Sequence, residues 1–497
     1  MLSTHQAPLT RPDSRSVLKR VAVIGAGVCG LAAVRCLLEA GLEPVAFERT
    51  ASLGGLWNFD ESHPSGGTVG YRSLRTNTSK LVTAFSDFPI PDDFPDFPSR
   101  AQFLDYLHAY AEHFQLLPHI RFLTEVVSVA PAGADGWRVC ARPAQAGPGR
   151  GPAAEERFDG VMICTGFNSK PWMPEFPGAE SFRGQLLHSA DYKGPEAFAG
   201  QRVVVVGASS SASEVAVEVS QAAPGLLLSV RHGTWITPRM VGSRPADLRV
   251  SRFGNRLPAK YRERAFKQMI LDEYKRQGLE PAKYLPLPEF DLRRIRLTPG
   301  LDLLRQLQSG AIIAKPAIER LEGDAVVFVD GTRAIADVII AATGYHINLP
   351  FVDRAVVEVN GDTIWLYRHV FPPDRPGLAF IGFCTVGAPV PPAVEMQCRW
   401  VAAIFAGRVR LPPAEAMQAS VDKHRLECAA GQTHPMKLKQ PAYIENLARE
   451  IGARPRLWRH PSLLPQLLFG PMIAAHYRLD GPGKSKVAEE MVRKMRV

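Results

Sequence analysis

The stretch Val21–Trp57, VAVIGAGVCGLAAVRCLLEAGLEPVAFERTASLGGLW, narrows the possible folds more than any other part of the chain. A short apolar strand, Val21–Ile24, runs into Gly25-Ala26-Gly27-Val28-Cys29-Gly30. A helical pattern follows to about Ala40, and a second strand, Pro44–Phe47, ends at Glu48. Strand, glycine turn, helix, strand and terminal acid in this order predict a βαβ unit that binds a dinucleotide. Gly25 permits the tight turn. Gly27 lets backbone N–H groups approach a pyrophosphate at the helix N-terminus, and Gly30 lets helix and strand pack closely. Glu48 is placed to accept hydrogen bonds from ribose hydroxyls. A GxGxxG alone is weak evidence; the order of its surroundings carries the reading.

With 497 residues, the chain predicts two or three domains. The polar, proline-containing stretch 1–18 lacks an apolar core and reads as a disordered tail rather than a secretory signal. The longest apolar run, Leu463–Ala475, is broken by Pro465, Gln466, Gly470 and Pro471, and reads as a buried or interfacial segment rather than a transmembrane anchor. Seven cysteines are scattered without a CxxC, which argues against disulfides, a metal site or a redox dithiol and for a cytoplasmic setting. Net charge is +10, and Arg231–Arg305 holds 17 Lys/Arg against 8 Asp/Glu. This basic segment suits nucleic acid, an anionic membrane face or a phosphorylated cofactor, or is a solvated helical surface.

After the first βαβ unit, residues 51–98 form a long loop-rich passage, a length that usually marks function. Gly54-Gly55-Leu56-Trp57 suits a wall beside a flat ring. Asn77, in Thr76-Asn77-Thr78-Ser79-Lys80, is either a turn residue or a site residue. A helix is expected from about Arg100 to Leu117, then a strand pair joined by the Ala/Pro/Gly-rich loop Ala141–Glu156.

At Asp159 an internal echo begins. Asp159–Phe167 reads DGVMICTGF and Asp337–Tyr345 reads DVIIAATGY, each an aspartate, an apolar strand and Thr-Gly-aromatic. Two similar nucleotide-binding domains, each closed by such a strand, are the simplest account, with Thr343 and Gly344 beside a cofactor. The second domain opens at Val203–Val206 with a degraded loop, Gly207-Ala208-Ser209-Ser210-Ser211-Ala212, then a helix to about Ala222 and a strand, Leu226–Val230, ending at Arg231. Glu48 lies 23 residues after Gly25 and Arg231 lies 24 after Gly207, so the two strand ends read as equivalent positions of opposite charge. An acid accepts from a free ribose; an arginine pairs with a 2′-phosphate. The first site should take a dinucleotide without that phosphate and the second NADP.

Phe182–Lys193, FRGQLLHSADYK, reads as a hinge-side linker whose polar groups couple the domains. The expected fold class is α/β with two Rossmann-like dinucleotide-binding domains, the second inserted in the first. Residues 19–170 and 340–497 form the first domain and 171–339 the second, with a basic, mostly helical insertion at 235–311.

Two dinucleotide loops, the FxGxxxHSxxY pattern in Phe182–Tyr192, and ATGY at 342–345 resemble the flavin-containing monooxygenases. GGLW, TNTSK, FSDFP and the C-terminal Leu479–Lys484 extend the likeness over nearly the whole chain from about Lys19. The resemblance implies FAD in the first domain and NADPH in the second. It further implies a flavin C4a-hydroperoxide that gives one oxygen atom to a soft nitrogen or sulfur centre. Asn77, by its place in TNTSK, would stabilise the oxygenating intermediate. Glu395, Gln397 and Arg399, in the segment EMQCR, match a family segment near the flavin. The implied partners are O2, a small-molecule amine, sulfide or ketone and a second copy in a homodimer, with no nucleic acid; the basic insertion leaves peripheral membrane contact open. A Baeyer–Villiger monooxygenase acting on ketones and a non-catalytic nucleotide-binding protein are the alternatives. GASSSA departs from the GxGxSG of vertebrate members, and no hydrophobic anchor follows Lys484.

Overall fold

A computed structural model describes residues 18–59, 70–133, 136–144, 151–292, 294–295, 297–386, 389–438 and 440–495. The expected tail at 1–18 lies outside these residues but for its last one.

Strand β1 (Arg20–Ile24) leads through the glycine turn into helix α1 (Val28–Glu39) and strand β2 (Glu43–Phe47). Helix α2 (Arg100–His113), β3 (Ile120–Arg121) and β4 (Gly160–Ile163) follow. The chain then builds a second sheet from β5 (Gln185–His188), β6 (Val203–Val206), helix α3 (Ser210–Ala222) and β7 (Leu226–Ser229). After helix α4 (Ala259–Arg276) and helix α5 (Asp302–Ser309) come its last strands, β8 (Ile312–Lys315) and β9 (Val338–Ala341). Strand β10 (Leu378–Phe380) returns to the first sheet, and helices α6 (Val390–Phe405), α7 (Leu464–Phe469) and α8 (Lys486–Arg493) follow.

Both sheets are parallel and share one plan. The first runs β10-β4-β1-β2-β3 and the second β5-β9-β6-β7-β8. In both, the glycine-loop strand is central, with the strand after the helix on one side and the Thr-Gly strand on the other. The echoed aspartates do the same work. Asp159 Oδ2 accepts from the backbone N–H of Arg20 at 2.8 Å, and Asp337 Oδ2 from that of Arg202 at 2.8 Å. Each clips its Thr-Gly strand to the start of the central strand. The Arg202 guanidinium also grips Asp337 and holds its carboxyl down to about 2.

Residues 21–24 of β1 are buried on both faces, as central strands of covered parallel sheets are. Helix α1 lies on the first sheet and packs against α6, which is almost wholly buried. Fully buried side chains such as Leu31 and Leu37 each contribute about 2 kcal/mol.

Several expectations are corrected. The helix expected to Leu117 ends at His113, because Gln115 takes a left-handed φ of 52° and Pro118 cannot continue it. The ends of the expected loop Ala141–Glu156 are strand: Trp137–Pro143 and Ala154–Phe158 pair within a three-stranded antiparallel sheet; residues 145–150 lie outside the described ones. The linker Phe182–Lys193 contains β5, an edge strand of the second sheet. The basic insertion is less helical than expected. It has one long helix, α4, and α5 belongs to the crossover onto β8, with prolines and short turns between. Five of the seven cysteines, scattered in sequence, converge around α1 (Cys29, Cys36, Cys164, Cys384 and Cys398): Cys398 Sγ lies 3.8 Å from Cys29 O, and a Cβ on Gly382 would fall 2.7 Å from Cys29 Sγ. Burial pushes the Cys384 thiol up to about 12, which keeps it protonated and unreactive.

His476 is fully buried, and neither ring nitrogen has a partner among the described residues. Burial, and then the charge of Arg252, hold its pKa down to about 3. The unfolded chain therefore binds a proton at pH values where the fold does not, and stability rises with pH across that window. Below about pH 6.5 this residue alone should remove about 1.4 kcal/mol per pH unit, down to about pH 3. His476→Phe should flatten the acid limb of the unfolding curve; a limb of unchanged slope would reject this role.

Candidate functional site

The first glycine loop is closed by backbone against backbone. Gly25 has φ 101°, and a Cβ there would sit 2.9 Å from Cys164 O; a Cβ on Gly30 would sit 1.9 Å from Gly25 O. Gly27 lies against Gly55, whose φ is 54° and whose own Cβ would fall 3.1 Å from Gly27 Cα. Gly54 N–H donates to Ala26 O at 3.0 Å, so the GGLW turn is tied to the loop. The Gly55–Trp57 turn is a single 3-10 turn with Leu56 exposed, and Trp57 rests on Phe103, ring centroids 4.5 Å apart.

Glu48 is buried, and the structure adds a task the sequence did not suggest. Its Oε2 accepts from Ala26 N–H at 2.8 Å, and its Oε1 accepts from the N–H and hydroxyl of Thr50 at 2.9 and 2.8 Å. The carboxylate pins the loop, and its remaining lone pairs are those left for a ribose.

Helix α1 starts at the N-cap Gly27 with no side-chain cap and no acid in its first turn. Helix α3 starts at Ser209, also without a side-chain cap or first-turn acid. First-turn N–H groups have no partner within their helix, so each end presents donors and a positive dipole to an anion. Both ends thus fit the phosphates of a dinucleotide. Gly207 has φ 134°, and a Cβ there would meet Ala342 O at 2.7 Å but Ala212 Cβ only at 3.1 Å. The second loop is therefore wide enough for alanine at its third small position. Ser210 and Ser211 form the first turn of α3, half-buried at its mouth.

Arg231 is exposed. The equivalence drawn between it and Glu48 is off by one residue. Glu48 N–H donates to Arg121 O, and the matching bond in the second sheet runs from Val230 N–H to Lys315 O. Val230 is the counterpart of Glu48, and Arg231 stands one place beyond.

The Thr-Gly end of β9 sits at the crossing between the sheets. Thr343 Oγ1 donates to Trp172 O at 2.5 Å. Gly344 O accepts from Trp172 N–H at 3.0 Å and lies 3.0 Å from His188 Nε2. Ala190 N–H donates to His188 Nδ1 at 3.1 Å, so Nδ1 is the acceptor and Nε2 carries the proton to Gly344 O. Burial lowers the pKa of His188, which keeps this neutral tautomer. His188 thus braces the return of the chain from the second sheet.

Asn77 is exposed, in the passage between the sheets. Its Oδ1 accepts from Arg239 Nη2 at 3.0 Å, and the same nitrogen donates to Glu214 Oε1 at 2.7 Å. Glu214 is on α3, and its other oxygen accepts from the Tyr71 hydroxyl. Burial and Glu214 raise the Tyr71 pKa, so the phenol stays a donor. The chain Tyr71–Glu214–Arg239–Asn77 links the loop passage to the second glycine-loop helix. The sequence reading missed Arg239, Glu214 and Tyr71. Glu214 follows directly on GASSSAS, which was a usable signal; Arg239 was one basic residue among many.

Gln397 is fully buried and does not reach the loop mouth directly. Its Oε1 accepts from Gly382 N–H and its Nε2 donates to the Tyr443 hydroxyl, both at 2.9 Å. Gly382 packs on Cys29 at the start of α1, so Gln397 supports the first loop from behind. Glu395 bonds Ser86 and Arg478, while Arg399 donates to Tyr477 O and Pro482 O at 2.9 and 3.0 Å. These two hold the C-terminal segment rather than an open site.

A family model described as flavin-binding monooxygenase-like matches residues 18–495. Flavin-containing monooxygenase 5 of Homo sapiens is 39% identical over 494 residues, covering 94% of this chain and 90% of that protein. Flavin-containing monooxygenase 2 of Homo sapiens is 36% identical, covering 95% and 91%. Among solved structures, S-allyl-L-cysteine S-oxygenase from Allium sativum superposes with a TM-score of 0.67 at 26% identity, covering 88% of this chain and 89% of that one. An open form of cyclohexanone monooxygenase superposes with a TM-score of 0.63 at 18% identity, covering 87% and 97%, a likeness of fold.

Proposed function

This chain belongs to the flavin-binding monooxygenase-like family, and from that premise we propose how its residues serve the reaction. It is an FAD- and NADPH-dependent monooxygenase acting on soft nitrogen or sulfur centres of small molecules, with O2 as co-substrate. The bound cofactors supply reducing electrons, O2 activation and transfer of one oxygen atom. The observation that carries the assignment of residues is the pair of uncapped glycine-loop helices on two sheets of one plan.

In this reading the N-terminus of α1, with Gly25, Gly27 and Gly30, holds the FAD pyrophosphate, and Glu48 accepts from its ribose. Gly55, Leu56 and Trp57 form part of the flavin wall, and Gln397 braces the loop. Ser209, Ser210 and Ser211 at α3 hold NADPH phosphates, with Thr343 and Gly344 beside them at the crossing. Asn77, its carbonyl oxygen fixed by Arg239, keeps Nδ2 as a donor for the reacting oxygen species. We place the division between the two nucleotide-binding domains after Ala342, since β9 runs across the expected boundary at 339/340. We further read the chain as a cytoplasmic homodimer with a peripheral membrane contact; sedimentation equilibrium at the monomer mass would reject the dimer.

The test is sulfide oxygenation under 18O2. One labelled oxygen in the sulfoxide, with NADPH consumed in step, is expected. Oxidation of a ketone to an ester without sulfoxide formation would favour the Baeyer–Villiger alternative.

Arg231→Ala should weaken NADPH by about 2 kcal/mol, roughly thirtyfold, while leaving NADH within about twofold. Equal losses for both nucleotides would remove Arg231 from the 2′-phosphate. Asn77→Ala should lower product per NADPH and raise free peroxide, with oxygenation falling on the order of a hundredfold. Unchanged coupling would exclude this role for Asn77.

A further inference from the structure

Residues 76–80 are held from two sides. Thr76 N–H donates to Pro98 O at 3.0 Å and Lys80 N–H to Asp96 O at 2.6 Å, both within the loop passage that follows the first βαβ unit. Thr78 Oγ1 lies 2.8 Å from Thr83 Oγ1 in the same passage. Asn77 and Ser79 bond instead to the insertion between β7 and α4. Asn77 Oδ1 accepts from Arg239 Nη2. Ser79 N–H donates to Asp247 Oδ2 at 2.6 Å, and the Ser79 hydroxyl donates to Asp247 Oδ1 at 2.8 Å. Ser79 is buried at the N-cap of the short helix Lys80–Thr83, where a serine hydroxyl ordinarily accepts from its own helix. It makes no such bond and spends both donors on a carboxylate 168 residues away.

Arg239 and Asp247 are the two ends of one small element. Met240–Val241 pairs antiparallel with Arg244–Pro245 around Gly242, whose φ is 63°, and Ala246 N–H closes the hairpin on Arg239 O at 2.9 Å. The hairpin is tied to the second glycine-loop helix, because Arg239 Nη2 also donates to Glu214 Oε1 at 2.7 Å on α3. Gly300, with φ 104°, leaves room for the guanidinium: a Cβ there would stand 2.8 Å from Arg239 Nη1.

We infer that the hairpin 239–247 is a strap that sets the pose of Asn77, with Asp247 and Arg239 as positioning residues. Asp247 fixes the backbone two residues after Asn77, and Arg239 fixes the carbonyl end of the Asn77 amide. The two tasks differ: the side-chain bond alone leaves the loop backbone free, and the backbone bond alone leaves the amide free to turn over. Together they aim Nδ2, and they do so from the sheet that carries the second glycine loop. A donor to a reacting oxygen needs this, since misplacement by about 1 Å costs on the order of a hundredfold. The inference rests on the reading of Asn77 as that donor and extends it to residues that act through Asn77.

The test compares Asp247→Ala with Asp247→Asn in the FAD-loaded enzyme. Asparagine keeps the geometry, its Oδ1 accepting from Ser79 N–H and its Nδ2 donating to the Ser79 hydroxyl; alanine removes both bonds. Asp247→Ala should speed hydrogen exchange at the Ser79 amide by about tenfold. It should also lower sulfoxide formed per NADPH by about tenfold, with NADPH affinity within about twofold of wild type. Asp247→Asn should keep all three within about threefold of wild type. With Asn77→Ala already present, Asp247→Ala should bring no further loss of sulfoxide per NADPH, because its effect runs through Asn77. Ser79→Ala removes one of the two bonds, should fall between wild type and Asp247→Ala, and decides the matter if the latter is not recovered folded. The proposal is overturned if neither variant speeds exchange at that amide, if the loss is equally large with and without Asn77, or if asparagine at 247 loses as much as alanine. If Asn77→Ala alone leaves sulfoxide per NADPH unchanged, the role given to Asn77 falls; the strap then stands if Asp247→Ala frees the Ser79 amide and falls if it does not.

Discussion

Gly30→Ala is expected to give a folded protein that leaves purification without FAD. An added Cβ would lie 1.9 Å from Gly25 O and 2.8 Å from Gly25 C, both backbone atoms. Gly25 cannot retreat easily: its N–H is bonded to Phe47 O at 2.8 Å, and Cys164 O lies only 2.9 Å from where its own Cβ would be. The α1 N-terminus must therefore shift away from the loop, and its N–H groups lose their aim at a pyrophosphate. A cost on the order of 3 kcal/mol, roughly a hundredfold in FAD affinity, follows. The second loop supplies the control, because Ala212 already occupies the corresponding place; Ala212→Gly should change NADPH affinity by less than about 1 kcal/mol. Flavin absorbance per protein and titration of the apoprotein with FAD give the measurement. FAD content within about twofold of wild type, with native circular dichroism, would defeat the prediction.

Arg478→Met should destabilise the protein by about 3–5 kcal/mol. Arg478 is almost fully buried and donates to Glu39 at 2.5 Å, to Glu395 at 3.2 Å and to the Ser86 hydroxyl at 2.7 Å, with Asp87 at 3.9 Å. Burial alone would favour losing its proton, but these three carboxylates hold its pKa well above the ordinary value. Glu39, though burial opposes its charge, is held below the usual carboxylate range by Arg478. Asp87 is pushed up by burial and by Glu395, as expected where carboxylates crowd one guanidinium. Methionine would fill much of the space, remove the ion pair of buried Glu395, and leave Glu39 and Asp87 to Arg35 at 3.6 and 3.7 Å. Urea unfolding should show the loss, and adding Glu395→Gln should recover part of it. A single variant within about 0.5 kcal/mol of wild type would show that the cluster does not hold the C-terminal segment.

The first βαβ unit was legible because its features are local. Apolar runs, small residues at fixed spacing and a terminal acid lie within 37 residues, Val21 to Trp57, and backbone sterics allow few other uses for them. The echo of Asp159 and Asp337 was legible as a repeat, and the shared hydrogen bond to the central strand explains why the aspartate recurs. Arg231 was placed one position out because counting from a glycine ignores where the sheet's hydrogen bonds fall; the Val230 bond to Lys315, 85 residues on, sets the register. The segment Phe182–Lys193 was misread as a linker because a four-residue edge strand carries little periodic signal, and its pairing partner lies more than 150 residues away.

The sequence by itself determined the class of ligand, the doubling of the nucleotide-binding unit and the family resemblance, since each rests on residue types at short spacing. Only the tertiary structure decided which polar groups meet. It gave Glu48 the task of pinning Ala26, seated Gln397 behind the first loop, and joined Asn77 through Arg239 to the second glycine-loop helix. The reason is physical: strand and helix patterns follow from local sterics and burial, whereas a hydrogen bond between residues 77 and 239 depends on how two sheets are set against each other, which no local pattern encodes.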